Sequence, residues 1–167
     1  MKRVSLPYFN NIGVEVDEET DLSIPEAAAA LNAFISLSPN DRSADAPHIY
    51  AYYKDIHLAV GGEEWMDAEM GVPKAPSDIW KSVSPTHLMV IPELVDDGHW
   101  YVGVTADCAW EKEHGLWMVW KDGRQICKVG EYDGHASNAS AHGDESVRNV
   151  VYKALDDEFT TYFEARE

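Results

Sequence analysis

The stretch Trp100-Tyr101-Val102-Gly103-Val104-Thr105-Ala106-Asp107-Cys108-Ala109-Trp110 alternates with period two. Trp100, Val102, Val104, Ala106, Cys108 and Trp110 share one face, and Tyr101, Gly103, Thr105 and Asp107 share the other. That is the pattern of a half-buried strand, whose successive side chains point to opposite faces. Leu116 to Trp120 is apolar on both faces and reads as a central strand, with Trp117 and Trp120 on opposite sides of it. Asp122-Gly123 then signals a tight hairpin turn, because both central positions of such a turn need positive φ. Gln125 to Gly130 is the return strand. A two-residue turn sets Lys121 opposite Arg124, Met118 opposite Cys127 and Trp117 opposite Lys128, the last pair as a cation–π contact on the less buried face. Matching core faces across the preceding loop puts Cys108 opposite Met118. The two cysteines are then two strands apart, roughly 9–10 Å at ~4.8 Å per strand. A disulfide needs Cα atoms within about 7 Å. Cys108 and Cys127 are therefore expected to be reduced, core-facing and unreactive.

Working outward, His87 to Ile91 is a further strand, stopped by Pro92, and Asp96-Asp97-Gly98 is a turn. Val4 to Val16 mixes β-formers with Pro7 and Asn10-Asn11, as one or two short strands around a turn. Ser23-Ile24-Pro25-Glu26 has the form of a capping box ahead of a helix whose apolar stripe is Ala27, Ala30, Leu31 and Phe34. Ser38-Pro39-Asn40 stops that helix. A second helix is predicted from about Pro47 to Val60, with Ile49, Tyr52, Tyr53, Ile56 and Val60 on one side, His57 at the stripe's edge and Gly61-Gly62 as its stop. Ser77-Asp78-Ile79-Trp80 starts a short third helix anchored by Trp80. Gly134 to Gly143 reads as a polar loop. Asp144 then caps a last helix carrying Val147, Val150, Val151, Ala154 and Leu155, and Phe159 to Phe163 either docks as a strand or extends that helix.

These elements predict a single α+β domain over residues 1–167. A mainly antiparallel sheet, centred on residues 99–130, is packed with helices from the first half and the C-terminus. The chain has 30 acids against 13 bases, a formal net charge of -17, with 45% hydrophobic residues, 6 Trp and 8 Tyr. That apolar content is enough for a core rather than disorder. The charge repels nucleic acid and anionic membranes and attracts basic partners. Ser5, Pro7, Asn10 and Asn11 interrupt any apolar leader after Met1-Lys2-Arg3, and no run reaches the roughly 18 apolar residues a bilayer span needs. A cytoplasmic protein is the expectation.

The richest set of chemical groups is Cys108-Ala109-Trp110-Glu111-Lys112-Glu113-His114-Gly115-Leu116, followed one hairpin later by Asp133-Gly134-His135. Glu111, Glu113, His114, Asp133, His135, His142 and Asp144 form a candidate constellation, and the hairpin should bring His114 and Asp133-Gly134-His135 to one end of the sheet. Carboxylate and imidazole together serve a hard or borderline metal, or general acid–base work. The spacing, however, fits no zincin helix and no Cys-x-x-Cys pair, and sheet-end turns favour Asp, Gly and His for conformational reasons alone. No metal and no cofactor is expected. Serine-nucleophile and phosphate-loop motifs are absent from the sequence. Acidic runs at Glu15 to Asp21, Glu63 to Glu69 and Glu93 to Asp97 lie beside apolar or aromatic residues. Trp65, flanked by Glu63, Glu64 and Asp67, suits an anchor for a basic protein partner, although such a Trp also commonly tucks inward.

The block Cys-x-Trp-Glu-x-Glu-His-Gly-Leu with Asp122-Gly123 and Asp133-Gly134-His135 resembles a bacterial domain family of unknown function. Ile49-Tyr50-Ala51-Tyr52-Tyr53, Asp78-Ile79-Trp80 and Ser84-Pro85-Thr86 extend the resemblance over roughly residues 45–136. It implies a bacterial, cytoplasmic protein and no particular activity. By analogy with other small acidic families it points to an immunity role against a toxin. Two functions from different classes therefore stand: a non-enzymatic acidic interaction protein, immunity-like or regulatory, and a small metal-assisted hydrolase using the sheet-end cluster.

Overall fold

Period-two alternation does build the sheet, and in the computed structural model, which describes residues 2–62 and 64–163, it extends well beyond the central hairpin. The strands are β1 (Arg3–Leu6), β2 (Ile12–Val16), β3 (Val83–Pro92), β4 (Trp100–Cys108), β5 (Leu116–Lys121), β6 (Gln125–Gly130), β7 (Val150–Tyr152) and β8 (Thr161–Tyr162). They lie in chain order across one sheet. That sheet is mixed, not mainly antiparallel: β2–β3 and β6–β7 run parallel. A parallel pair needs a long crossover. The first is supplied by α1 (Pro25–Ile35), α2 (Pro39–Ala59) and α3 (Glu64–Met70), the second by a segment containing α4 (Asn138–His142).

α1 buries the expected stripe of Ala27, Ala30, Leu31 and Phe34. Its entry differs from the predicted capping box. The Ser23 amide and hydroxyl both donate to the Asp21 carboxylate, at 3.0 and 2.6 Å, and Ile24 stands at the cap position. The Ser38-Pro39-Asn40 signal is less a stop than a start. The Ser38 hydroxyl accepts from the Asn40 amide and the Ser38 amide donates to Asp41, so α2 begins at Pro39 instead of Pro47. Pro47 therefore sits inside a 21-residue helix. It is tolerated on an exposed face, where Ser43, whose carbonyl loses the i+4 amide that Pro47 lacks, is exposed as well. Ile49, Tyr52 and Tyr53 are buried as the periodicity requires, whereas Val60 is exposed. The Ser77–Trp80 segment is a 3-10 helix, Pro76–Ser82, with Trp80 in the core as expected.

The C-terminal helix is the clearest departure. Asp144 caps only one 3-10 turn, Glu145–Val147, and Val150–Tyr152 forms β7. β-Branched and aromatic residues buried on both faces fit a strand better than an amphipathic helix. Buried Asn138 donates to the Val150 and Val151 carbonyls at 2.7 and 2.9 Å, and Tyr152 lies opposite Val129 of β6. The aromatic tail takes its strand alternative, with β8 pairing to β7; residues 164–167 fall outside the described ones.

Trp117 and Trp120 do lie on opposite faces of β5, paired with β6. The register, though, departs from the predicted one. Asp122 and Gly123 have φ of 53° and 70°, as a tight turn demands, yet Lys121 pairs with Gln125 and Trp120 with Ile126. A bulge follows, so Val119 faces Lys128, Met118 faces Val129 and Trp117 faces Gly130. Lys128 instead reaches Asp133, so the Trp117–Lys128 pairing is not formed. Cys127, the extra residue, joins Tyr101, Trp117, Val119 and Ala136 on the second face, while Cys108 stays in the cluster under the helices. Cys108 lies beyond the β4–β5 pairing, beside Val83, and not opposite Met118. Both thiols are free and buried, on different faces of the sheet.

Burial pushes each of these thiols up to about 12. Native protein should accordingly react with a thiol reagent slowly at neutral pH and release two equivalents once unfolded. Fast stoichiometric labelling of the native chain would contradict the burial of both.

The second face is not the less buried one. Trp117 is fully buried there, its ring crossing β4 at Gly103, where a Cβ would stand 2.1 Å from a ring carbon. On the helix-covered face Tyr8, Phe34, Trp80 and Trp120 form an aromatic cluster. Buried Asp45 of α2 accepts from the Tyr8 hydroxyl at 2.9 Å and from Trp120 Nε1 at 3.2 Å, which satisfies polar atoms that the core would otherwise leave costly.

Candidate functional site

The sheet-end groups are positioned by the β4–β5 turn and the loop after β6. The Glu111 carboxylate accepts from the Glu113 and His114 amides at 3.0 and 3.1 Å, which shapes the turn. His114 Nδ1 lies 3.5 Å from a Glu111 oxygen and 3.5 Å from a Glu131 oxygen. Glu111, His114 and Glu131 offer ligand atoms all within 4.8 Å of one another, a donor set that suits a borderline divalent metal. Glu113, Asp133 and His135 do not belong to that group. The loop after Glu131 folds back over the second face rather than continuing outward. Tyr132 packs edge-on against Trp117, and Trp117 Nε1 donates to the His135 carbonyl at 2.8 Å. Asp133 takes an ion pair from Lys128 at 2.7 Å, and the His135 ring meets Ser140. Lys128 is only 3% exposed, so this pair accounts for the position of Asp133 without any catalytic demand.

Among the acidic binding candidates, Glu63 lies outside the described residues. Glu64 opens α3 and is exposed. Asp67 bonds to His57 Nε2 at 3.2 Å and fastens α3 to α2. Trp65 does not tuck inward: it is 44% exposed, with the Lys112 ammonium 5.9 Å from its ring centroid and that ammonium ion-paired to Glu69.

A concavity of about 700 Å³ lies at the other end of the sheet, on the second face. It is assembled from distant segments: the β3–β4 loop, Tyr101 of β4, Lys121 of β5, Cys127 of β6, the turn carrying Glu145 and Arg148, and Phe163. Its size falls within the range of small-ligand sites. Its walls are fixed by a polar network. Glu93, almost fully buried, accepts from the Ser137 hydroxyl at 2.6 Å, from the Leu94 amide at 2.9 Å and from Arg148 Nη1 at 3.3 Å. Burial opposes its charge, but those donors outweigh it and hold the carboxyl below the usual range. Asp97 behaves likewise. It is penalised by burial, yet held low by the Tyr101 hydroxyl at 2.6 Å and the His99 amide at 3.0 Å. Tyr101 is pushed upward by its own burial and by that carboxylate. Glu145 grips Arg148 through a fork, Nε to one oxygen at 2.6 Å and Nη2 to the other at 2.7 Å, which lowers the acid and raises the base.

Perturbed groups gathered in a cleft mark a functional surface more strongly than scattered ones. Of these residues only the acidic run Glu93 to Asp97 carried a sequence signal; the partners Glu93 meets, Ser137 and Arg148, lie 44 and 55 residues downstream and arrive through the β6–β7 crossover. The described residues contain no helix long and apolar enough to cross a membrane.

No curated protein and no solved structure matches the chain. The matching family model is described as "Domain of unknown function (DUF6985)" and covers residues 1–136, reaching further towards the N-terminus than the resemblance over 45–136. The sheet-end turn and the cleft wall from Val95 to Cys127 lie inside the matched stretch, whereas Ser137, Glu145, Arg148 and Phe163 lie beyond it. With four-fifths of its length in the match, the chain belongs to this DUF6985 family of domains of unknown function.

Proposed function

We propose that the chain is a non-enzymatic interaction protein, bacterial and cytoplasmic, immunity-like or regulatory, that engages a basic protein partner. The observation that supports this reading is the exposure of large apolar side chains beside carboxylates. Trp65 stands among Glu64, Asp67 and Glu69 on α3, and Leu94 and Val95 precede Asp96 and Asp97. Exposed apolar groups rimmed by one sign of charge are how an interface combines an anchor with steering. Trp65 is the proposed anchor, with Glu63, Glu64 and Asp67 as its acidic surround.

A pull-down from the native host at low salt, with kinetics on the recovered partner, tests this. The on-rate should fall as salt screens the charge of -17. Trp65→Ala should act mainly on the off-rate, raising it roughly tenfold or more for a hot-spot aromatic. Recovery of no protein partner, together with hydrolytic activity in the purified chain that His114→Ala abolishes, would replace this reading with the metal-assisted hydrolase.

A further inference from the structure

We infer that the cleft on the second face of the sheet is a binding site for a guanidinium group carried on an aliphatic stem. This goes beyond the partner reading, whose anchor Trp65 is capped by Lys112 of the β4–β5 turn, at the opposite end of the sheet from the cleft, and it gives the exposed Val95–Asp97 stretch a ligand chemistry of its own.

Charge, shape and an internal precedent lead to it. The lining acids Asp96, Asp97 and Glu145 face Lys121 and Arg148, and Arg148 is already neutralised by Glu145 and Glu93. Asp122, at the hairpin tip, adds a carboxylate through His99 at 2.9 Å. The rim therefore keeps a negative surplus. Asp96 contributes an exposed carboxylate that accepts from the Gly98 amide at 2.9 Å. Val95, 76% exposed, and Phe163, 37% exposed, supply apolar and aromatic surface beside it. A planar guanidinium can pair with a carboxylate through two parallel bonds and rest on an aromatic ring, which an ammonium does less well. The cleft already binds one such group: the Glu145–Arg148 fork forms part of its wall.

Lys121 makes no ion pair among the described residues, and it lines the same cleft. A free amino acid could offer it a carboxylate, whereas an arginine within a protein chain could not. The shared chemistry is thus an arginine head group, and its two sources are separable.

The experiment is an NMR titration of the full isotope-labelled chain with L-arginine, with N-acetyl-arginine methylamide and with the neutral N-acetyl-norleucine methylamide. Saturable shifts at the amides of residues 96–101 and 149 are expected with an arginine ligand and not with the norleucine one. Preference for L-arginine over the blocked form, lost in Lys121→Met, identifies a free small molecule as the source. Equal binding of both identifies a protein side chain. Asp96→Asn, an exposed substitution that keeps the turn acceptor, should weaken binding about tenfold. Phe163→Ala should weaken it severalfold. No saturation below about 10 mM, equal shifts from the neutral analogue, or wild-type affinity in both variants would each overturn the inference. A partner recovered by pull-down while the cleft ignores arginine would overturn this inference and leave the interaction reading intact.

Discussion

Gly123→Ala should be among the most destabilising single-methyl additions in the chain, at about 2–5 kcal/mol. Gly123 has φ of +70° in the β5–β6 turn, and a Cβ built there lies 1.9 Å from the Ala30 carbonyl oxygen and 2.9 Å from its carbon. Two costs combine. An L-residue in the left-handed region loses roughly 1–2 kcal/mol, and forcing atoms into a packed contact costs roughly 1–3 kcal/mol more. The obstacle is helix backbone, which cannot rotate aside as a side-chain tip would. The hairpin tip must lift from α1, and α1 covers the core through Phe34 and Leu31. Gly98→Ala is the matched control: its φ is +77°, with nothing within 4 Å of the added carbon, so it carries only the first cost. Denaturant midpoints for the two variants, with unchanged slopes, measure the difference. Equal losses would show that the hairpin tip does not bear on α1.

Asp55→Ala should cost about 2–4 kcal/mol and act first on the C-terminal segment. Asp55, buried in α2, accepts from the Tyr152 hydroxyl, from the Leu155 amide at 2.8 Å and from the Asp156 amide at 3.1 Å. One carboxylate thereby holds β7 and the turn leading into β8 against α2, across about 100 residues of chain. Removing it strands the buried Tyr152 hydroxyl, at roughly 1–3 kcal/mol, and releases two part-buried amide bonds that fix the turn after β7. In the same background, Tyr152→Phe deletes one stranded hydroxyl. The double variant should therefore be less destabilised than the sum of its parts. Hydrogen exchange should show protection at residues 150–163 falling more than protection at residues 100–130. Uniform loss over both, or none in the C-terminal segment, would remove the tether from the account.

The cleft escaped the sequence reading for an identifiable reason. Its acidic loop was visible as Glu93 to Asp97 beside Leu94 and Val95, but those residues become a wall only where Ser137 and Arg148 meet Glu93. Ser137 falls in the stretch expected to be a polar loop and Arg148 in the one expected to be a helix, since Val147, Val150, Val151, Ala154 and Leu155 also fit a helical stripe. A short apolar run cannot choose between periods on its own. Pairing with β6 and the bonds from Asn138 decide for the strand, and both partners lie outside the run. The sheet-end group was half legible. His114 does sit with Glu111, but its second neighbour is Glu131, because the loop after it folds back onto Trp117 and carries Asp133 and His135 towards Lys128 and Ser140.

What the chain's own pattern determined is what depends on neighbours in sequence. The faces of β4, the opposition of Trp117 and Trp120, the positive-φ turn at Asp122-Gly123 and the buried stripe of α1 all follow from periodicity and local sterics. The tertiary structure alone decided what depends on distant segments. The bulge at Cys127 turns that thiol to the second face and brings Val129, not Cys127, opposite Met118. The two crossovers make the sheet mixed and bring the 137–149 segment beside the β3–β4 loop. A one-residue bulge leaves no periodic trace in an already apolar strand, and a crossover's landing place is set by which surface remains to be buried. Neither is encoded in any window short enough to read by spacing.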